Sequence, residues 1–341
     1  MYNSILKPFL FTMQPERAHS FAMKSAKCCL NMPFGSFLLK TLAGHTVEKP
    51  TKVMDITFDN KVGLAAGFDK DGEYIEVLKL LGFGYIEVGT ITPRPQPGNP
   101  KPRLFRLKED QALINRMGFN NKGVHNLAEN IRQIHPDRRP VIGGNIGKNK
   151  DTPNSSAWMD YVYCLKYLHS LVDYFTINLS SPNTPGLRAL QEKEPLIKIL
   201  SEVQNFNQGL KTPKPLLLKV SPDNSKQVLD DIILVTQECG LTGVIATNTT
   251  IERNGLRSTQ MELEEIGGGG LSGVPLREKS LDMVKYLHTG LPSSMTIIGV
   301  GGISNHDDYR KMLDAGADLV QIYTSFIYQG ISVVKKILES R

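Results

Sequence analysis

At 341 residues and 40% hydrophobic content, the chain can build one large core or two smaller ones, and an α/β barrel of ordinary size would use most of it. Forty Lys and Arg against 34 Asp and Glu leave a net charge of +6 with no dense basic block. That balance argues against nucleic acid and stays compatible with anionic small molecules or an anionic membrane surface. Cys28, Cys29, Cys164 and Cys239 form no CxxC pair, so a reducing compartment and no structural metal are expected.

No apolar run approaches the length of a membrane span, and the first residues lack the pattern of a signal peptide. Tyr2, Ile5, Leu6, Phe9, Leu10 and Met13 recur at three- and four-residue spacing, the stripe of an amphipathic helix in which Pro8 belongs near the start. Gln14-Pro15-Glu16 reads as a second helix start, proline first and then an acid in the first turn. Phe34, Phe37 and Leu38 add a third apolar cluster. Residues 1–45 therefore predict a small helical extension. Either it packs on the main domain, or it faces a membrane or lipophilic ligand, with Lys7, Lys24, Lys27 and Lys40 around its rim. The stretch from Gly44 to Phe58 reads as a linker.

From about residue 60 a unit repeats: a short apolar run, a polar loop, an amphipathic helix. The runs are Val62–Ala66, Tyr85–Val88, Val141–Ile146, Val172–Asn178, Leu216–Val220, Gly243–Thr247, Thr296–Val300 and Leu319–Tyr323. Eight such units predict an α/β fold, a (β/α)8 TIM barrel over residues 46–341. A doubly wound sheet is the alternative, but its glycine fingerprint is missing from the first βα turn.

In a barrel the chemistry sits at the carboxyl ends of the strands. Polar clusters fall there: Ala66 to Gly72, then Gly89-Thr90 with a Pro-rich stretch and Asn115 to Asn121, then Asn145 to Asn149. Asn178 to Arg188 follows the fourth strand, Lys219 ends the fifth, and Thr247 to Thr250 end the sixth. Alone, the Asn178 to Arg188 stretch reads equally as an ordinary Asx/Pro turn. Six such clusters on one rim point to a site. Gly267 to Gly270, Gly273, Gly299, Gly301 and Gly302 surround the seventh strand, and Tyr323-Thr324-Ser325 end the eighth. Glycines let backbone N–H groups approach an anion, and Ser304-Asn305 and Thr324-Ser325 can cap the helices that follow, so a phosphate anchor competes here with plain tight turns. Ser181 has no nucleophile elbow and no histidine ordered beside it, which casts it as a proton-transfer group. Of the seven histidines only His306 falls near a strand end in this half. Lys70 and Lys219 place positive charge where a cofactor ring could become electron-rich.

These stretches together resemble the quinone-dependent (class 2) dihydroorotate dehydrogenases over essentially the whole chain. The resemblance is carried by Gly63 to Gly72, Gly89 to Pro93, Pro95 to Asn99, Ile114 to Asn121, Asn178 to Arg188, Ile245 to Thr250, Gly269 to Gly273 and Ile298 to Gly302. It implies FMN held by Ala66, Gly67, Phe68, Asp69, Lys70, Thr90, Asn145, Asn178, Lys219, Thr247, Gly273, Gly302, Tyr323 and Thr324. It implies dihydroorotate held by Lys70, Asn115, Arg116, Met117, Gly118, Phe119, Asn178, Asn183, Asn248 and Thr249. Ser181 is then the base that takes the C5 proton as the C6 hydride passes to the flavin, yielding orotate for pyrimidine synthesis. Serine rather than cysteine there, and the extension carrying Pro15 to His19, resemble the membrane-docking, quinone-channel branch, with His19, Arg106 and Tyr323 on the quinone path. The family implies peripheral attachment to the cytoplasmic face of a bacterial inner membrane. Phe68 and Thr324 depart from a leucine and a serine frequent among relatives. Two alternatives are another FMN barrel such as a dihydrouridine synthase, and a non-catalytic phosphate-binding barrel.

Overall fold

In a computed structural model the chain is described for residues 2–44 and 49–339. A π-helical turn (Tyr2–Leu6) runs into α1 (Lys7–Thr12), with α2 (Pro15–Leu30) and α3 (Gly35–Ala43) following. Pro8 falls in the first two positions of α1, where its missing N–H costs little, and Pro15 opens α2 with Glu16 in the first turn. The helices bury Met23, Leu30, Leu39 and Ala43 against the main core, while Ile5, Phe9, Phe21, Met32, Phe34, Phe37 and Leu38 are exposed.

Part of the expected linker is β-strand. Residues 45–48, and with them the expected boundary at 45/46, lie outside the described residues; beyond them β1 (Thr51–Val53) and β2 (Ile56–Phe58) form an antiparallel hairpin. Phe58 stands edge-on to Tyr85, ring centroids 5.2 Å apart, and closes the floor of the barrel. A helical period could not have revealed this, because each strand is three residues long.

Eight parallel strands close the (β/α)8 barrel: β3 (Val62–Leu64), β4 (Tyr85–Ile91), β7 (Val141–Ile146), β8 (Tyr174–Asn178), β9 (Leu216–Val220), β10 (Gly243–Ala246), β12 (Thr296–Val300) and β13 (Leu319–Ile322). They follow one another in chain order around the ring, β13 pairing back onto β3. The outer layer is α4 (Ile75–Leu80), α5 (Val124–Arg132), α6 (Ala157–Leu168), α7 (Lys193–Gln208), α8 (Lys226–Glu238), α10 (Arg277–Gly290), α11 (His306–Asp314) and α13 (Val333–Leu338). Alternation along the strands sorts their side chains. In β4, Ile86 and Val88 pack outward under the helices while Tyr85 and Glu87 point into the barrel. Tyr85, Tyr174, Leu217, Ile245, Ile298 and Leu319 fill the lower interior. Room for the two tyrosine rings comes from Gly63 and Gly143: a Cβ there would meet them at 2.3 and 2.2 Å.

Besides the β1–β2 hairpin, three further strands lie outside the eight-unit count. β5 (Leu104–Leu107), β6 (Ala112–Asn115) and β11 (Gly270–Gly273) form an antiparallel sheet in the order β11-β6-β5 across the barrel mouth. The loop after β10 carries α9 (Gln260–Ile266), and α12 (Thr324–Gln329) follows β13.

Candidate active site

A polar cavity opens at the carboxyl ends of the barrel strands. Among its walls are Ala66, Gly67, Lys70, Thr90, Asn115, Asn178, Ser181, Asn183, Lys219, Thr247, Asn248, Thr249, Gly273, Gly302, Tyr323 and Thr324, with Met117, Gly118 and Phe119 on the mouth loop. Sequence-distant rim loops therefore converge on one space. Four expected residues do not reach its wall. Arg116 spends its guanidinium on Ile266 O, on Gly268 O at 3.3 Å and on Pro102 O at 3.1 Å, stacked on Phe105. Phe68 and Asp69 face a second cavity, and Asn145 lies one layer below. Asp69 accepts the N–H groups of Glu73 and Tyr74 at 2.9 and 2.8 Å, so its carboxylate shapes its own loop; burial nonetheless pushes its pKa up to about 7. Gly267 to Gly270 also miss the cavity, because Gly267 ends α9 and Gly270 begins β11, whereas Gly273, Gly301 and Gly302 line it. Thr324 does not cap α12; its Oγ1 pairs with Ser272 Oγ at 2.8 Å. Asn305 does cap α11, and His306 binds Ile337 O at 3.0 Å, away from the cavity.

The amides on the rim are tied together. Asn178 Nδ2 donates to Thr90 Oγ1 at 2.9 Å and Asn145 Oδ1 at 3.1 Å, while its Oδ1 accepts from Asn248 Nδ2 at 3.3 Å. Asn183 Nδ2 donates to Asn115 Oδ1 at 3.0 Å, joining the loop after β8 to the end of β6. Ser181 is buried; its Oγ accepts the Asn183 N–H at 3.3 Å, and among the described residues its own proton has no acceptor. Burial lowers the Lys70 pKa to about 8, with Glu16 partly offsetting it, and its Nζ donates to Gly67 O at 2.8 Å. Burial lowers Lys219 as well, opposed by the charge of Glu87.

Among the described residues, three polar groups on the wall lack partners. The Lys219 ammonium has no hydrogen-bond acceptor among the described residues, and Gln321 Oε1 and Ser325 Oγ are unsatisfied. Such atoms are costly unless a ligand meets them. Lys219 lies near the end of β9 and Ser325 follows β13, so a molecule reaching both extends across the mouth, with an acceptor group at one end and a hydrogen-bonding group at the other.

The second cavity lies between the barrel and α1–α2, lined by Phe11, Ala18, His19, Met23, Phe68, Tyr74, Arg106, Phe326 and Ile327 among others. It shares Gly67, Lys70, Leu104, Leu113, Met117 and Tyr323 with the first, so one wall of residues lies between the two cavities, the second the more apolar. His19 stacks edge-on to Phe68 with centroids 4.6 Å apart, and burial followed by the Lys70 charge drops its pKa to about 4. Arg106 stacks over Phe11 and donates to Leu10 O, Phe11 O and Met13 O, holding the end of α1.

Some participants escaped the sequence reading. Glu87 sits inside the barrel under the cavity and Gln321 on its wall, and a charge or amide within an apolar strand was their signal. Arg188 reaches from the Ser181 loop to Ser180 O, Thr249 O and, at 3.0 Å, Asp223. Asp223 also accepts from Thr250, the Ile251 N–H and Lys279; burial raises its pKa, but these bonds outweigh burial and hold it below the usual range. Nothing in the local sequence pairs Arg188 with Asp223.

A family model described as dihydroorotate dehydrogenase matches residues 49–340. A dihydroorotate dehydrogenase (quinone) of Christiangramia forsetii is 48% identical over 99% of this chain and 97% of its own length. Its counterpart in Shewanella sp. is 45% identical, covering 100% of this chain and 99% of that protein. The crystal structure of DHODH in complex with ferulenol from Eimeria tenella superposes with a TM-score of 0.83 at 37% identity, over 95% of this chain and 89% of that one.

Proposed function

The chain belongs to the dihydroorotate dehydrogenase family, and from its full-length likeness to the quinone-dependent members we propose that it oxidises (S)-dihydroorotate to orotate in the polar cavity and reduces a quinone from the apolar one. The observation that carries this reading is the shared wall: the two cavities meet at Gly67, Lys70 and Tyr323, so electrons cross one layer of residues between two chemically different spaces.

FMN fits the groups left without partners. The Lys219 ammonium suits a ring carbonyl, and the Ser325 hydroxyl with the Gly273, Gly302 and Thr324 backbone suits a phosphate. Ala66, Gly67, Lys70, Thr90, Asn178, Thr247 and Tyr323 complete that cradle, with Asn145 orienting it from below. When bound, FMN supplies a two-electron acceptor that can pass electrons on to a quinone. Ser181 takes up the C5 proton while its own hydroxyl proton passes to solvent in the cavity; the hydroxyl is buried, positioned by the Asn183 N–H and committed as a donor to no described residue. Asn115, Asn178, Asn183, Asn248 and Thr249 offer paired donors and acceptors to the amide, imide and carboxylate of dihydroorotate, and penalise analogues lacking them. Lys70 adds a positive charge between the two cavities.

We assign His19, Arg106 and Tyr323 to the quinone path, since all three line the apolar cavity. Residues 1–44 act as a docking lobe in this reading. Phe34, Phe37, Ile5, Met32 and Phe9 are 84, 70, 65, 58 and 53% exposed, an apolar surface few soluble folds would leave open. Lys24 on α2 and Lys40 on α3 are exposed as well. No helix among the described residues is long and apolar enough to cross a membrane. The exposed apolar face supports shallow, peripheral docking, and the docking we propose is to the cytoplasmic face of a bacterial inner membrane. The test is direct: purified protein should carry a flavin spectrum and reduce ubiquinone or menaquinone analogues when given dihydroorotate. Absence of either overturns the assignment.

A further inference from the structure

Glu87 is wholly buried inside the barrel, beneath the mouth cavity. A charged side chain there is expensive, and an apolar residue would fill the position at less cost. Three donors converge on it: Asn145 Nδ2 at 2.7 Å on Oε1, and Gln321 Nε2 at 2.7 Å and Tyr174 OH at 3.2 Å on Oε2. The Lys219 charge acts on the same carboxylate from the cavity side.

A carboxylate only accepts, whereas an asparagine amide can present either end. The Asn145 amide must therefore turn its Nδ2 toward Glu87, which leaves Oδ1 facing up. There it accepts from Thr90 Oγ1 at 2.5 Å and Asn178 Nδ2 at 3.1 Å. With Nδ2 committed downward, Asn178 directs Oδ1 outward to the Ser180 N–H, the Ser180 hydroxyl and Asn248 Nδ2, each at 3.3 Å. Asn248 is thereby held with Oδ1 on the Thr249 N–H at 2.8 Å. The polarity of three amides is handed upward from one buried group to the loop that carries Ser181.

We propose that Glu87 is a positioning residue for this reaction, the acceptor whose fixed polarity orients Asn145, Thr90, Asn178 and Asn248 toward flavin and substrate. The inference rests on the active-site reading above.

A swap across the 2.7 Å bond between Asn145 and Glu87 tests it. In Glu87→Gln, the new Oε1 can still take Tyr174 and Gln321, but Nε2 then opposes Asn145 Nδ2. Turning Asn145 over only moves the donor–donor clash to Asn178, and from there to Ser180 and Asn248. In Asn145→Asp, two carboxylates face each other. In the double variant Glu87→Gln/Asn145→Asp, the introduced glutamine donates to the introduced aspartate. That aspartate still accepts from Thr90 and Asn178, so the polarity above is restored. Two readouts are needed on the full chain: urea midpoints without ligand, and calorimetric affinity for orotate with flavin content recorded. Each single variant should bind orotate about tenfold or more weakly, the scale of one buried unsatisfied amide. The double variant should return to within about threefold of the unchanged protein, with a positive coupling in the urea midpoints as well. Losses that simply add, in binding or in folding, overturn the proposal. So do single variants that are destabilised yet bind orotate normally, because Glu87 would then serve the barrel alone. If the unchanged protein binds no orotate while the urea midpoints still couple, the active-site reading fails and the polarity relay stands as a structural feature.

Discussion

Ser181 is buried and touched by a single backbone donor, so its hydroxyl is shaped for one task. Ser181→Ala should lower kcat by about 10²- to 10⁴-fold, the usual scale for losing a proton-transfer group, while orotate affinity stays within about threefold. Stopped-flow reduction of the flavin by dihydroorotate separates the two. A neighbouring residue gives a pH signature of another kind. His19 titrates near 6.5 in the unfolded chain and is pushed to about 4 in the native lobe, by burial first and by Lys70 second. Between those values the unfolded chain binds the proton and the folded one does not. Its contribution is thus intact above about pH 6.5 and is lost as pH falls toward 4, by at most about 3 kcal/mol. Urea unfolding of His19→Gln and the unchanged protein across that window should show curves that converge in acid. Parallel curves would place the acid sensitivity elsewhere.

At the scale of elements, one side chain ties the helical lobe to the loop that carries Asn183. Arg103 meets Glu16 of α2 through Nη2 at 3.0 Å and Nε at 3.1 Å, and donates Nη1 to Pro97 O and Asn99 O at 2.6 and 2.9 Å. Asn99 Nδ2 in turn donates to Asn183 O at 3.1 Å. The Arg103 and Glu16 side chains are 8% and 23% exposed, so removing the arginine strands a half-buried carboxylate. Arg103→Ala should cost about 2–3 kcal/mol in urea unfolding. It should also raise KM for dihydroorotate together with KM for quinone. A rise confined to quinone would mean that α2 and the Asn183 loop are mechanically separate. The β5-β6-β11 sheet matters for the same reason: Leu104 and Leu113 belong to both cavity walls, so it stands between the two spaces.

At the scale of the whole molecule, the exposed apolar residues cluster in the first 44 residues, on a protein whose barrel surface is largely polar. Changing Phe34→Asn, Phe37→Ser and Leu38→Asn together should barely move the melting temperature, since all three are exposed. Co-sedimentation with anionic lipid vesicles should fall at least about tenfold, the order expected for losing three partly inserted apolar side chains. Unchanged vesicle binding would leave the apolar face without a membrane role.

The eight strands, their parallel order and the face that carries chemistry were all legible in the chain, because short apolar runs and polar strand ends are local properties. Lys70, Asn178, Ser181 and Lys219 were legible too, since they stand at those ends. Direction and partnership came only with tertiary structure. Arg116 and Asp69 lie in the right loops but turn to backbone groups nearby, and Asn145 drops one layer below the wall. The β1–β2 hairpin and the mouth sheet were hidden because strands of three or four residues carry too little pattern to read. Glu87 was visible only as a charge in an apolar strand. That it orients amides from β7, β8 and the loop after β10 follows from barrel closure, which joins Glu87 to Asn145, 58 residues on, and through it to Asn178 and Asn248.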